Sequence, residues 1–231
     1  MSMNKKTNLL IPALALIAIV IIALVGNKMQ PKDVFINVSD NTSISNSNNS
    51  TLSSPNTGLP QLVSSGSYSY YDNFDEADRR ANLIIVGEVV KVNEPEEIRV
   101  GAYTTDIYTV SEFKVDKVIK GDASVGDIVK VKQIGGEYKV IERVEGGIDY
   151  YKLGERHILF LKSYKDGKYK SPCSPINPLQ GNMKILNGKT KKTNNFQFIN
   201  DNIPEDALVT AVKEKVEKNK VKNEQQKAEN K

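Results

Sequence analysis

The chain has 231 residues, 39% of them apolar and 26% charged, enough for one ordinary globular domain with extensions but crowded for two. Its 32 basic and 28 acidic residues leave a formal charge of +4, which is too mild and too dispersed for a nucleic-acid surface, so no nucleic-acid partner is expected. One cysteine, Cys173, excludes an intrachain disulfide, and one histidine, His157, excludes the common Cys/His zinc sites, so neither a metal nor a cofactor is expected.

In chain order, Lys5 and Lys6 precede an uncharged, almost wholly apolar run at 9–25. A small-x-small cleavage site is poor here, because Gly26 as the last retained residue places Leu24 at the other small position. The run spans roughly 25 Å as a helix at 1.5 Å per residue. That is slightly short of a hydrocarbon core of about 30 Å, and Lys6 and Lys28 can snorkel at its ends. The sequence therefore predicts an uncleaved single-pass anchor at 9–26, a cytosolic N-terminus at 1–8 and an extracellular bulk, with secretion after signal cleavage as the alternative. A disordered tether follows at 27–67, whose Ser/Asn/Thr tract has too little apolar surface to offset the entropy of ordering. Asn37, Asn41, Asn48 and Asn49 each head an N-x-S/T triplet, which a Ser/Asn tract produces by chance.

The globular part is predicted at 68–200. Asn73 is placed as the cap of a short helix running through Ala81, with Asp75 and Glu76 in its first turn. Leu83, Ile84, Ile85 and Val86 then form a run without a polar face, which suits a strand covered on both sides, and Gly87 marks a bulge or sharp bend within it. The segment 93–101 reads as a charged, exposed loop. The next strand, 105–119, is long and loses phase: Tyr108 and Val110 lie on one side, Phe113 and Val115 on the other, so a bulge or bend is expected between Val110 and Phe113. A third strand at 128–134 places Val129 and Val131 inward and Lys130 and Lys132 outward. A weaker strand at 138–144 follows the Gly135-Gly136 break.

Ile158 to Leu161 form a second run buried on both faces, and Asp166-Gly167 is a strong hairpin signal. A proline-rich loop at 172–178 carries Cys173. Met183 to Leu186, Asn187-Gly188 and the residues up to Phe198 make a last hairpin. Pro204 then opens a helix whose apolar positions Leu208, Ala211, Val212 and Val216 follow helical spacing, within a segment of helix and basic tail at 201–231 that is expected to be polar all round and to fray beyond Asn219.

The order Ala81-Asn82-Leu-Ile-Ile-Val-Gly87-Glu-Val, then Tyr108-Thr-Val through Lys120-Gly121, then Gly126-Asp127, then Leu153-Gly154-Glu155 leading into Ile158-Leu-Phe-Leu161 resembles uncharacterised membrane-anchored or exported proteins of Gram-positive bacteria. More distantly it is similar to netrin-like domains and the inhibitory domain of tissue inhibitors of metalloproteinases. The resemblance covers roughly 75–190 and implies an OB-like, netrin-like curled antiparallel barrel, mainly β, with a short N-terminal and a C-terminal helix. Those inhibitors act through an amino-terminal cysteine and are stapled by disulfides, so with only Cys173 inside the chain their mechanism does not carry over.

No catalytic, cofactor-binding or metal site is assigned from the sequence. His157 alternates in phase with Leu159 and Leu161 and reads as a packed histidine. Glu94, Glu96 and Glu97 lack the alternating oxygen ligands of a calcium loop. Gly135-Gly136 and Gly146-Gly147 lack the lysine and helix of a phosphate loop, and the basic tail intersperses Lys with Glu as any solvated helix does. The reading is a membrane-tethered extracellular binding module for a protein, peptide or oligosaccharide, its partners being the membrane and an extracellular protein, peptide or cell-wall ligand. The alternative is a hydrolase or redox protein using Cys173 as nucleophile and His157 as base.

Overall fold

A computed structural model describes residues 31–35, 59–64, 66–165, 170–191 and 198–229. The expected anchor at 9–26, the four N-x-S/T asparagines and the Asp166-Gly167 hairpin signal all lie outside the described residues. Among the described residues no helix is long and apolar enough to cross a membrane.

The described part is mainly β. In chain order it comprises α1 (Pro31–Val34), β1 (Gln61–Ser64), α2 (Phe74–Arg80), β2 (Leu83–Val92), β3 (Glu96–Arg99), β4 (Thr105–Lys120), β5 (Ile128–Ile134) and β6 (Gly136–Tyr138). Then follow β7 (Ile141–Glu145), β8 (Arg156–Lys162), β9 (Ser174–Pro175), β10 (Asn182–Leu186), β11 (Lys189–Lys191) and α3 (Glu205–Glu229). The larger sheet runs β11-β10-β8-β2-β4-β3, with β5 pairing β4 and β9 pairing β8; the smaller runs β1-β7-β6.

β2 is the centre of the larger sheet, hydrogen-bonded to β4 on one side and β8 on the other. The apolar run works as expected: Ile84 and Val86 face one core, Leu83 and Ile85 the other. β8 divides in the same way, with Ile158 and Phe160 on the first side and Leu159 and Leu161 on the second. Because strand side chains alternate, an unbroken aliphatic run can only be buried if both faces are covered. α3 covers the first face with Leu208, Ala211 and Val212, and α1 adds Val34. The second core fills the concave side of the sheet, where Phe113, Val115, Val129, Val131 and Tyr151 meet Leu159 and Leu161.

The expected barrel is not closed. β5 and β9 share no ladder; a single parallel bridge joins Val131 to Cys173, with Lys132 N–H donating to the Cys173 carbonyl at 2.8 Å and Cys173 N–H to the Lys130 carbonyl at 2.9 Å. The two-residue length of β9 limits it, since Pro175 has no N–H to extend a ladder.

Three irregularities along β2–β4 coil the sheet. The pairs Ile84/Lys120 and Ile85/Val118 skip Ile119, Val86/Lys117 and Gly87/Val115 skip Asp116, and Val89/Phe113 and Lys91/Glu112 skip Val90. Gly87 thus sits at a bend, as expected. The bend expected between Val110 and Phe113 is not in β4, which pairs with β5 without interruption from Tyr108 to Lys114. Val110 and Ser111 are both buried because the strand is covered on both faces there.

Other local expectations are corrected by long-range pairing. Glu96–Arg99 is not loop but an edge strand on β4. The weak strand at 138–144 is instead a hairpin, β6–β7, turning at Lys139 with φ of 55°. Two pieces of the expected tether at 27–67 are folded: β1 lies parallel to β7, and α1 carries Val34 into the core. Asn73 caps α2 as expected, accepting from Glu76 N–H at 3.1 Å. Asn187 and Gly188 make the last hairpin with φ of 52° and 72°, the left-handed pair that a two-residue turn of this kind requires. α3 continues as helix to Glu229, past Asn219, whose amide donates to Asp78 at 2.9 Å and to Asp75 at 3.1 Å.

α3 is locked to the sheet at its first turn. Arg156 of β8 grips Glu205 with two bonds, Nε at 2.7 Å and Nη2 at 2.8 Å, and also pairs with Asp116; Lys117 reaches Glu205 at 2.8 Å. The Arg156 guanidinium, opposed by partial burial and reinforced by Lys117, holds the Glu205 carboxyl down to about 2. A carboxyl lowered on folding adds stability above its unfolded value of about 4.3 and loses it as pH falls toward the folded value. The urea midpoint is therefore expected to hold from pH 7 to about 5 and to fall toward pH 2. Glu205→Gln should lower the midpoint at pH 6 and give a shallower acid slope. An unchanged slope in that variant would remove Glu205 from the account of acid stability.

Candidate functional site

The face of β4–β5 that turns away from the concave core carries Tyr108 and Val110 on one strand and Lys132 and Ile134 on the other, paired Val110 to Lys132 and Tyr108 to Ile134. The sequence alternation places Lys132 outward, as expected, but not in solvent: it is only 6% exposed. The proline-rich loop folds back along β5 through the Cys173 bridge and closes over the lysine. Lys132 Nζ donates to Ser171 Oγ at 2.7 Å and sits over two aromatic rings, 5.1 Å from the centroid of Tyr108 and 5.2 Å from that of Tyr164. No carboxylate pairs with it among the described residues. Burial holds its pKa below the usual lysine range.

These groups line a cavity of about 410 Å³, to which Tyr68, Arg99, Gln133, Ile148, Ser174 and Pro178 also contribute. The volume lies within the range of small-molecule sites, about 300–1,000 Å³. Its walls are fixed from behind. Tyr164 Oη lies 2.8 Å from Ser174 Oγ, and Gln133 receives the Tyr151 N–H at 3.0 Å while donating to the Asp149 carbonyl at 3.0 Å. Tyr68 donates to Glu145 at 2.8 Å, and burial together with this carboxylate raises the Tyr68 hydroxyl well above its ordinary value. Glu145 is itself 2% exposed and is held by Ser64, Gly66 N–H and Arg143, which also bonds Asp106 at 2.6 Å. The small sheet thus serves to brace one wall of the cavity. A desolvated amine between two rings, with hydroxyls beside it, can hold an acceptor group against an apolar surface.

The residues singled out from the sequence lie elsewhere. His157 is the second residue of β8 and is 4% exposed, stacked edge-on against Tyr151 at 5.1 Å, with Nε2 3.2 Å from Glu155 Oε2. Burial lowers its pKa despite that carboxylate. Cys173 stands beyond the other end of the same strand, next to Ser174, which pairs with Lys162. At about 3.3 Å per strand residue the two are roughly 20 Å apart, too far for an imidazole to take a thiol proton. Burial pushes the Cys173 thiol up, away from thiolate character. Glu96 and Glu97 are neighbours on an edge strand and so point to opposite faces. Gly135 and Gly136, at φ of 104° and 127°, join β5 to β6, and Gly147, at φ of 82°, is in the turn that ends β7.

The sequence reading passed over Lys132, because a Val-Lys-Val-Lys alternation is what a strand with one wet face also shows. The available signal was the proline-rich loop that follows Tyr164, together with Tyr108 on the lysine's own face of the sheet. Among known proteins, no family model and no curated protein matches this chain.

Proposed function

We propose that this protein is a membrane-tethered extracellular binding module, built on an OB-like curled sheet, whose ligand enters the cavity around Lys132, Tyr108 and Tyr164. The observation that carries the reading is a buried lysine stacked between two tyrosines with no carboxylate partner among the described residues. A lone buried charge is costly to a fold, and a lysine retained in such a place is better accounted for by a ligand than by stability. The tether part of the reading is supported by the apolar run at 9–25 behind Lys5 and Lys6. The separation of Cys173 from His157 counts against the alternative hydrolase or redox protein.

Two expected results test this. In a fragment mixture screened by ligand-observed NMR, binders should lose at least tenfold in affinity with Lys132→Met or Tyr164→Ala. Lys132→Met should meanwhile melt no lower than the parent chain, since it trades a desolvated amine for an apolar side chain of similar length. A variant that melts lower and binds normally would make Lys132 structural and end the proposal. For the tether, protease added to intact cells should remove the folded part while residues 1–8 stay protected. A mature form beginning near Asn27, or a protected C-terminus, would overturn that half.

A further inference from the structure

We infer that the ligand of the Lys132 cavity carries a carboxylate on a ring or apolar body, the carboxylate seated on the lysine amine; the inference rests on the cavity being the binding site. Among the described residues its lining contains Lys132 and Arg99 and no Asp or Glu. The acids behind the tyrosine walls do not offset this. Asp106, which faces Tyr108, and Glu145, which holds Tyr68, both pair with Arg143, at 2.6 Å and 3.8 Å. Arg143 offsets one of these two carboxylates, so a single acid charge stands behind the walls against the two cations of the lining, and the described charges around the cavity sum to a net positive.

The hydrogen-bond inventory of Lys132 points the same way. An ammonium has three donors. One goes to Ser171 Oγ at 2.7 Å, and the ring faces of Tyr108 and Tyr164 stabilise the charge without supplying in-line acceptors for the rest. A carboxylate brings two acceptor oxygens and a single charge, matching one amine. Phosphate brings three oxygens and up to two charges, and the second cation of the lining is already engaged: the Arg99 guanidinium donates to the carbonyls of Gly101 and Ala102. Beyond the amine the walls are apolar, with Val100, Ile134, Ile148, Pro175 and Pro178. That surface suits a ring or an aliphatic body and gives a bare inorganic anion nothing to pack against.

Two sources of such a carboxylate are a peptide C-terminus and an acidic sugar, and paired probes separate them. Calorimetric titration of the full chain at pH 7 compares N-acetylphenylalanine with its primary amide, glucuronate with glucuronamide, and inorganic phosphate. At least one acid should bind ten times or more tighter than its own amide, and which acid does so identifies the source. Phosphate should neither bind nor compete, and Lys132→Met should abolish the preference for acid over amide. The acid–amide comparison in the unaltered chain decides the matter even where the variant fails to fold. Equal binding of acid and amide, a preference that survives Lys132→Met, or competition by phosphate would overturn the carboxylate while leaving the cavity as a binding site. No binding by any probe would overturn it as well, and the cavity itself would fall only where the fragment screen is also empty.

Discussion

Truncating Phe113 to alanine is expected to cost about 3–5 kcal/mol in equilibrium unfolding, the range for removing a buried aromatic side chain. Phe113 is fully buried, and its ring meets Tyr151 edge-on at 4.9 Å and lies 6.1 Å from His157. Its strand neighbours are Val89 on β2 and Val129 on β5, both in the same core. The cavity left by its loss cannot collapse easily, because both flanking strands are held in ladders and Tyr151 is pinned through its N–H to Gln133. Val110→Ala, on the other face, should cost less, since a smaller side chain is lost. Lys114→Ala should fall within about 0.5 kcal/mol, as at an exposed site. A neutral Phe113→Ala in guanidinium titration would mean that the concave side of the sheet is not a core.

That result would also test how far the sequence carries. Where a signal is local, sequence and structure agree. The Leu83 to Val86 run needs two covers and has them, Asn73 caps the helix it precedes, and the 208, 211, 212 spacing buries one side of α3. Where the decisive partner is distant in sequence, the residues alone mislead. Glu96–Arg99 is charged and unpatterned, so only the free edge of β4 makes it a strand. Gln61–Ser64 sits beside a Ser/Asn tract, and its order comes from β7 and the Glu145 network some eighty positions later. Barrel closure was overread for the same reason: the irregularities that coil β2 and β4 are local, but closing the ladder depended on the Cys173 segment, which contributes one bridge. The candidate site belongs to this second group. Lys132 and Ser171 are unremarkable in their own neighbourhoods, and a loop folding back over β5 turns a surface lysine into a buried one.

Gly87→Val is expected to be among the most damaging single substitutions in the sheet, and Gly87→Ala to cost about 1–3 kcal/mol as an overpacking change. The cause is backbone proximity. A Cβ at this position would lie 2.6 Å from the Lys114 carbonyl oxygen and 3.3 Å from its carbon. No side chain can rotate aside, since the obstruction is main chain. β2 cannot retreat either, for Gly87 is paired with Val115 on one side and His157 on the other. The close approach follows from the bulge opposite, where β4 uses Asp116 as an extra residue and bends toward β2. That bulge also re-aims Asp116 toward Arg156, which in turn grips Glu205 at the start of α3. Forcing the strands apart at Gly87 should therefore loosen the helix as well as the ladder. In hydrogen exchange, Gly87→Ala should lower protection both along β2–β4 and in the first turns of α3. Gly101→Ala is the control: there a Cβ meets only the Thr104 side chain at an ordinary 3.7 Å, and the change should stay within about 0.5 kcal/mol. If Gly87→Ala proved as mild as Gly101→Ala, the bulge at Asp116 would not be the feature that sets the curl of the sheet.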